Sequence, residues 1–189
     1  MCGRYYIDEA ALQGYESADW ASLGLEGGMD VCPGMDAPVL IMAASETAFC
    51  QMRWGFDRPE GGLVINARVE TMTERTMFRS LSERRRCAIP ASRYYEWRRA
   101  DHQKFEVAFN GADRFWLAGL YRMGRERREF VVLTQPPVPA IQVIHNRMPL
   151  ILPTTEAVER WLRGETPLFE NNGAVRVAAE GPEQLQMRF

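Results

Sequence analysis

Short apolar runs separated by turn-forming residues are the feature that most constrains how this chain can fold. The segments between the runs are rich in glycine, proline, asparagine and charged residues, as in Arg58–Gly62. Strands spaced this closely favour a strongly bent, mainly antiparallel β-sheet or a barrel-like β core. The runs predict strands at Val39–Met42, Phe49–Trp54, Leu63–Val69, Arg86–Ala91, Tyr94–Arg98, Phe105–Phe109, Phe115–Tyr121 and Phe130–Thr134.

Helical patterns are fewer and are expected to flank this core. They predict helices at Asp8–Tyr15, Glu74–Arg85 and Thr154–Arg163, the last with Thr154 or Thr155 as its N-cap. The expected core-facing residues are Met77, Phe78 and Leu81 in the second helix, and Val158, Trp161 and Leu162 in the third. We therefore predict an α+β fold in one domain over residues 1–189, with 167–189 as a tail that is partly extended across the core.

Length and composition narrow the setting in which the protein works. No apolar run approaches the roughly 20 residues that span a bilayer, and no secretory signal pattern is present. The four cysteines lack metal-ligand spacing, so we expect no metal and, without an export signal, reduced thiols in a cytoplasmic protein. We also expect a monomer that needs no cofactor. Residues 51–150 carry a net charge of +7, which suits a polyanion surface and is explained almost as well by a solvated face.

The amino-terminal cysteine offers chemistry that no internal residue can provide. If Met1 is removed, Cys2 carries an α-amine and a thiol on adjacent carbons, and this pair can capture an aldehyde as a thiazolidine. Lys104 is the only lysine, so amine chemistry must use either its side chain or the amino terminus. Imidazole chemistry falls to His102 or His145. By itself, Cys2 is better explained as an incidental small residue near the terminus.

Four further segments place polar side chains among apolar ones. Asn66, Arg68 and Glu70 alternate along a predicted strand, which is either a functional or a merely solvated face. Glu96 lies among aromatic residues, so its carboxyl is either desolvated and a candidate general acid, or paired with a neighbouring arginine. His145 is either an acid/base group or a structural histidine.

The fourth segment is Trp54-Gly55, at the end of a predicted strand. Its tryptophan is a candidate for stacking on a base or a sugar, with core packing as the alternative.

Taken in order, these segments resemble the SRAP (SOS response-associated peptidase) family, whose members shield abasic sites in single-stranded DNA. The resemblance covers about residues 2–165. It rests on Met-Cys-Gly-Arg-Tyr at the start, followed by Trp-Gly, Asn-Ala-Arg-x-Glu-Thr, Glu-Trp and His-x-Arg-Met-Pro.

The resemblance implies a role for each matching residue. Cys2 would form the DNA–protein crosslink, Asn66 would orient its amine or thiol, Glu96 would be the acid and His145 a proton shuttle. The remaining implied contacts with DNA are phosphate contacts from Arg4, Arg68 and Arg147, base stacking by Trp54, and a loop contact from Pro33. The family's helix arginine is matched only by Arg75 or Arg79 as a substitute.

Three functions stay open at this point. The first is a covalent sensor of abasic sites in single-stranded DNA, associated with the nucleoid when bound. The second is a thiol autopeptidase or hydrolase that uses Cys2 and His145 to remove Met1 or to cleave a peptide. The third is a DNA-binding module that uses only its arginines and Trp54, whose binding would be reversible and salt-sensitive.

Overall fold

A five-stranded ring of hydrogen-bonded strands forms the centre of the molecule. The computed structural model describes residues 2–8, 11, 28–110 and 114–180. Its strands are β1 Tyr5–Ile7, β2 Met29–Val31, β3 Asp36–Ala43, β4 Glu46–Trp54, β5 Phe56–Asp57, β6 Leu63–Val64, β7 Asn66–Arg68, β8 Arg86–Ala91, β9 Arg93–Trp97, β10 Lys104–Phe109, β11 Phe115–Met123, β12 Arg128–Gln135, β13 Met148–Pro149, β14 Ile151–Leu152 and β15 Val175–Ala179. The ring runs β12-β4-β3-β8-β11 and is closed by the pairing of β11 with β12.

Four strands of the ring, β3, β8, β11 and β12, are buried along most of their length on both faces, which explains their continuous apolar sequences, whereas β4 is exposed over its first half. Val39 and Ile41 of β3 belong to one apolar cluster, whereas Leu40 between them belongs to another. The first cluster joins the ring to a second sheet and includes Cys2 and Tyr94. The second cluster joins the ring to a helix and includes Trp161.

The second sheet brings the amino terminus to the core. Its strand order is β15-β10-β9-β1-β2, and all four of its pairings are antiparallel. β1 pairs with β9 in a register that sets Tyr5 opposite Tyr94. β7 is held on the ring instead, parallel to β12, with Asn66 opposite Val132. These two placements determine which residues surround Cys2.

Helices occupy the periphery of the described residues, as α1 Thr76–Arg84, α2 Pro139–Gln142 and α3 Thr155–Leu162. α3 begins as predicted, because the Thr154 hydroxyl accepts a hydrogen bond from the Ala157 N–H. Met77 was expected in the core but is 42% exposed, because α1 packs through Phe78 and Leu81 and buries Ser82. None of the helices in the described ranges is long and apolar enough to cross a membrane.

The α+β fold with a barrel-like β core is confirmed, but one predicted strand is shorter than expected. The strand predicted over Leu63–Val69 is divided into β6 and β7, and a one-turn 3-10 helix at Val69–Thr71 follows. The period-two alternation therefore ends at Arg68 and does not extend to Glu70. The helix predicted at Asp8–Tyr15 falls largely outside the described residues.

Candidate functional site

The segment before β1 is fixed in the interior by a side chain from the ring. Cys2 is fully buried, and its carbonyl oxygen accepts a hydrogen bond of 2.9 Å from Asn66 Nδ2. The Cys2 thiol points to the Arg4 carbonyl oxygen, 3.8 Å from the sulfur. The structure thus brings together two of the predicted residues, Cys2 and Asn66, although 64 positions separate them in sequence.

The Cys2 thiol is held in its protonated form. Burial raises the pKa of this thiol strongly, and the charge of Glu96 raises it further. A protonated thiol is a weak nucleophile, so the resting site is unreactive until a base removes the proton.

Glu96 lies in the middle of β9, where its side chain is 1% exposed. Burial raises the pKa of this carboxyl from its ordinary 4.5 to about 7, and the positive charge of the amino terminus opposes the shift. The neighbouring arginines do not neutralise it, since Arg93 pairs with Glu106 and Arg98 with Asp101. Of the two alternatives for Glu96, the structure therefore selects the desolvated carboxyl, which can both donate and accept a proton near neutral pH.

His145 is buried in the turn between α2 and β13. Burial lowers the pKa of its imidazole, so the ring is neutral at pH 7. The Arg147 N–H donates to Nδ1 at 3.0 Å, which places the proton of the neutral ring on Nε2. The Arg147 carbonyl oxygen lies 3.2 Å from Nδ1, so it can accept a hydrogen bond from the imidazolium. The same backbone accommodates both protonation states.

The three predicted phosphate-binding arginines differ in their surroundings. Arg4 makes two hydrogen bonds to Asp30, the shorter of 2.7 Å. Arg147 makes a two-pronged contact with Glu70, at 2.6 and 2.8 Å, and also donates to the Thr134 carbonyl oxygen. Arg68 is exposed and, within the described ranges, makes no ion pair. Of these three arginines, Arg68 is therefore the one that would give up the fewest contacts within the protein on binding a phosphate.

Of the two alternatives for Trp54, base stacking and core packing, this structure shows core packing. Trp54 is fully buried, packs against Tyr5 and Phe130, and donates its indole N–H to the Ile65 carbonyl oxygen at 2.9 Å. A side chain enclosed in this way cannot reach a base without leaving the core. Pro33 lies in the turn between β2 and β3 and is half-buried.

Four other residues that the sequence singled out are not part of the surroundings of Cys2. The Lys104 ammonium is paired with Glu180 at 2.7 Å, so the single lysine amine is already engaged. His102 occupies a turn with a φ of 57°, and Arg75 and Arg79 are exposed at and within α1. No group of residues in the described ranges has the composition of a metal site.

Sequence reasoning missed the partners that orient the arginines. Asp30 lies on β2, a strand of three residues that is too short to give a periodic signal. Thr134 is fully buried at the end of a long apolar strand, where nothing in the sequence marks it as polar lining. Only the pairing of strands reveals either residue.

Comparison with known proteins gives consistent results. The model of the family described as SOS response associated peptidase (SRAP) matches residues 1–187. The abasic site processing protein YoqW of Bacillus subtilis is 32% identical over 147 residues, which cover 70% of this chain and 65% of that protein. The abasic site processing protein HMCES of Xenopus tropicalis is 29% identical, over 71% of this chain and 53% of that protein. The chain thus spans less than two thirds of either relative.

Solved structures share the fold. A crystal structure of a Bordetella bronchiseptica protein superposes with a TM-score of 0.78 at 22% identity, covering 96% of this chain and 100% of that one. A Bacteroides thetaiotaomicron protein superposes with a TM-score of 0.74 at 19% identity, covering 94% of this chain and 91% of that one.

Proposed function

Because this chain belongs to the SOS response associated peptidase (SRAP) family, we propose that it is a covalent sensor of abasic sites in single-stranded DNA. One arrangement carries the proposal: Asn66 holds the Cys2 carbonyl in the interior, where the charge of buried Glu96 acts on the Cys2 thiol. Relatives that are named abasic site processing proteins support the choice of substrate. The protein would act as a monomer in the cytoplasm and on the nucleoid.

The first chemical step is capture of the lesion by the amine. Removal of Met1 frees the α-amine of Cys2, and an abasic deoxyribose exists as a closed hemiacetal in equilibrium with an open C1′ aldehyde. Glu96, with a pKa of about 7, donates a proton to the ring oxygen and so promotes opening. The amine then adds to C1′ and water leaves, giving an imine. Holding the two groups together supplies much of the rate enhancement.

The second step converts the imine into a stable adduct. The Cys2 thiol loses its proton to a base, for which the Glu96 carboxylate is suited, and the sulfur adds to the imine carbon. The electron pair of the C=N π bond moves to nitrogen, which accepts a proton in place of the one that the thiol lost, and a five-membered thiazolidine closes. An imine alone permits β-elimination and strand cleavage, so capture by the thiol protects the strand.

The other residues of the site bind the DNA backbone or transfer protons. The neutral His145 ring donates through Nε2 to a sugar oxygen, and Nδ1 stays held by the Arg147 backbone. Arg68 binds a phosphate directly, whereas Arg4 and Arg147 present guanidinium groups that Asp30 and Glu70 hold in place. Pro33 contributes to the rim from its turn between β2 and β3.

The test is intact mass spectrometry and denaturing electrophoresis after incubation with abasic single-stranded DNA. Processed wild-type protein is expected to give a heat-stable adduct, and undamaged DNA none. Cys2→Ala is expected to give no heat-stable adduct. Cys2→Ser and Cys2→Ala both retain the amine without the thiol, so each is expected to give only an imine that borohydride traps, together with strand cleavage. A wild-type protein that forms no adduct, or a Cys2→Ala protein that still forms it, would contradict the proposal.

A further inference from the structure

Two tyrosine hydroxyls are buried next to the site without a hydrogen-bond partner. Tyr5 and Tyr94 are both fully buried, and neither hydroxyl finds a partner among the described residues. Buried polar groups in folded proteins are nearly always paired, because an unmet hydrogen bond is destabilising. Phenylalanine would fill the same space without this cost, so the hydroxyls call for a functional explanation.

Strand geometry aims both hydroxyl-bearing side chains at the same interior. The β1–β9 register sets Tyr5 opposite Tyr94, and side chains on directly opposed residues share a face of the sheet. Glu96 lies two residues beyond Tyr94 on β9, so it too lies on this face. Cys2 precedes β1 and belongs to the same apolar cluster as both tyrosines.

The electrostatics agree with this placement. Burial raises the pKa of Tyr94 well above its ordinary value, and the charges of Glu96 and Cys2 raise it further. Burial likewise raises the pKa of Tyr5 well above its ordinary value, and the charges of Cys2 and of Cys87 on β8 raise it further. Both phenols therefore remain protonated near neutral pH and can act only as hydrogen-bond donors or acceptors, never as bases.

We propose that Tyr94, supported by Tyr5, is a positioning residue that donates a hydrogen bond to the Cys2 sulfur as it becomes a thiolate and closes the thiazolidine ring. This inference rests on the proposed function and assigns Tyr94 to its second step alone. The thiol proton passes to the Glu96 carboxylate, the sulfur electron pair forms the C–S bond, and the C=N π pair moves to nitrogen, which then takes the proton from Glu96. The Tyr94 O–H bond stays intact throughout.

The donor accelerates the reaction because it favours the charged sulfur over the neutral thiol. Hydrogen bonds to an ionised acceptor are stronger than those between neutral groups. An interaction that gains strength only as the reaction proceeds lowers the barrier instead of tightening ground-state binding. The unmet hydroxyl in the resting state is then the cost of a donor positioned in advance.

The first experiment follows the two steps separately for Tyr94→Phe, with Tyr6→Phe as the matched control. Tyr6 lies next to Tyr5 on β1, faces the opposite side and packs against Arg93. With abasic single-stranded DNA, Tyr94→Phe is expected to form the borohydride-trapped imine at the wild-type rate. It is expected to form the heat-stable adduct roughly tenfold more slowly and to release more cleaved strand. Tyr6→Phe should match the wild type in every readout.

A second experiment separates this inference from the proposed function. Acetaldehyde forms a thiazolidine with any accessible amino-terminal cysteine, and intact mass reports its closure without DNA. Tyr94→Phe and Tyr5→Phe are expected to slow this closure, and their thermal midpoints should equal or exceed that of the wild type, because an unpaired buried hydroxyl has been removed. If the wild type forms a thiazolidine with acetaldehyde but not with abasic DNA, the proposed function fails, while the effect of Tyr94 on ring closure is still measured.

Three results would overturn the role of Tyr94. The first is equal closure by Tyr94→Phe and wild type with both aldehydes. The second is an equal slowing of imine formation and ring closure, which indicates a general disturbance of the site. The third is a large loss of thermal stability in both phenylalanine variants, which indicates that the hydroxyls serve folding.

Discussion

Asn66 Nδ2 donates a hydrogen bond of 2.9 Å to the Cys2 carbonyl oxygen, while Asn66 Oδ1 is buried and, among the described residues, unpaired. One amide therefore fixes the position of the cysteine and keeps an acceptor available beside it. A free α-ammonium at Cys2 is a donor of matching chemistry. The first prediction follows from this relationship.

Asn66→Ala is expected to slow adduct formation by roughly a hundredfold, since a small displacement of a reacting amine has large kinetic consequences. The measurement is the rate of heat-stable adduct formation on abasic single-stranded DNA. Asn110→Ala is the control, because Asn110 makes a comparable side-chain bond to the Gly173 carbonyl oxygen on the exterior. Equal rates in the two variants would contradict a role for Asn66.

Glu96→Gln is expected to change how stability depends on pH. The folded carboxyl has a pKa of about 7 and the ordinary value is 4.5, so between these values the folded state binds the extra proton. The free energy of unfolding of the wild type should therefore fall as the pH rises from about 4.5 to about 7, by up to about 3 kcal/mol. Chemical denaturation at pH 5 and pH 8 should show a smaller fall in Glu96→Gln. Glu106→Gln, on the neighbouring strand β10, serves as the control.

Arg68→Ala is expected to weaken reversible DNA binding and to lower the salt dependence by about one counterion, because one phosphate contact is lost. Fluorescence anisotropy on undamaged single-stranded DNA, with Cys2→Ala protein that cannot form the thiazolidine, measures this at several salt concentrations. Arg163→Ala removes an exposed arginine that pairs with Glu159 at the end of α3, so its salt slope should be unchanged. A slope for Arg68→Ala equal to that of its parent would place the phosphate elsewhere.

Trp54→Ala is expected to lower the free energy of unfolding by about 3–5 kcal/mol, because a fully buried indole and its hydrogen bond are lost. Trp54→Phe should lower the free energy of unfolding by less and should leave the affinity of reversible DNA binding unchanged. Urea denaturation and anisotropy measure the two quantities. A selective loss of affinity in Trp54→Phe, with stability preserved, would restore the base-stacking role.

A residue or tag kept before Cys2 is expected to abolish thiazolidine formation, because the α-amine is then part of a peptide bond. Reversible binding to DNA should persist, since Arg4, Arg68 and Arg147 are unaffected. The same tag placed after Phe189 is the control. Heat-stable adduct formed by protein with a blocked amino terminus would show that another group attacks the aldehyde.

The strands of the ring could be predicted closely, because each carries its own apolar run between turn residues. The prediction Arg86–Ala91 coincides with β8, and Phe115–Tyr121 differs from β11 by two residues. β1 and β2 could not be predicted, since a strand of three residues has no measurable period. β1 forms because β9 supplies hydrogen bonds along one of its edges, and β2 in turn pairs with β1, so both strands depend on tertiary pairing.

The site shows the same division. Polar residues within apolar runs marked Asn66, Glu96 and His145 as candidates, and their order along the chain identified the family. The sequence could not decide whether the Glu96 carboxyl is desolvated or paired with an arginine, because its pKa depends on burial and on which charged groups lie near it in the folded protein. It left stacking and core packing both open for Trp54, because a tryptophan before glycine at a strand end has the same local signal whether it is buried or exposed.

The sequence alone determined the β-rich core, the family and the candidate residues, because these depend on local periodicity and on ordered motifs. It also made the amino terminus the main amine available, since Lys104 is the only lysine. Only the tertiary structure decided that Lys104 is engaged, that Glu96 is not neutralised by its neighbouring arginines, and that two phenols are buried in the same apolar cluster as Cys2. The reason is that burial and electrostatic environment are created by strand pairing between residues far apart in the chain.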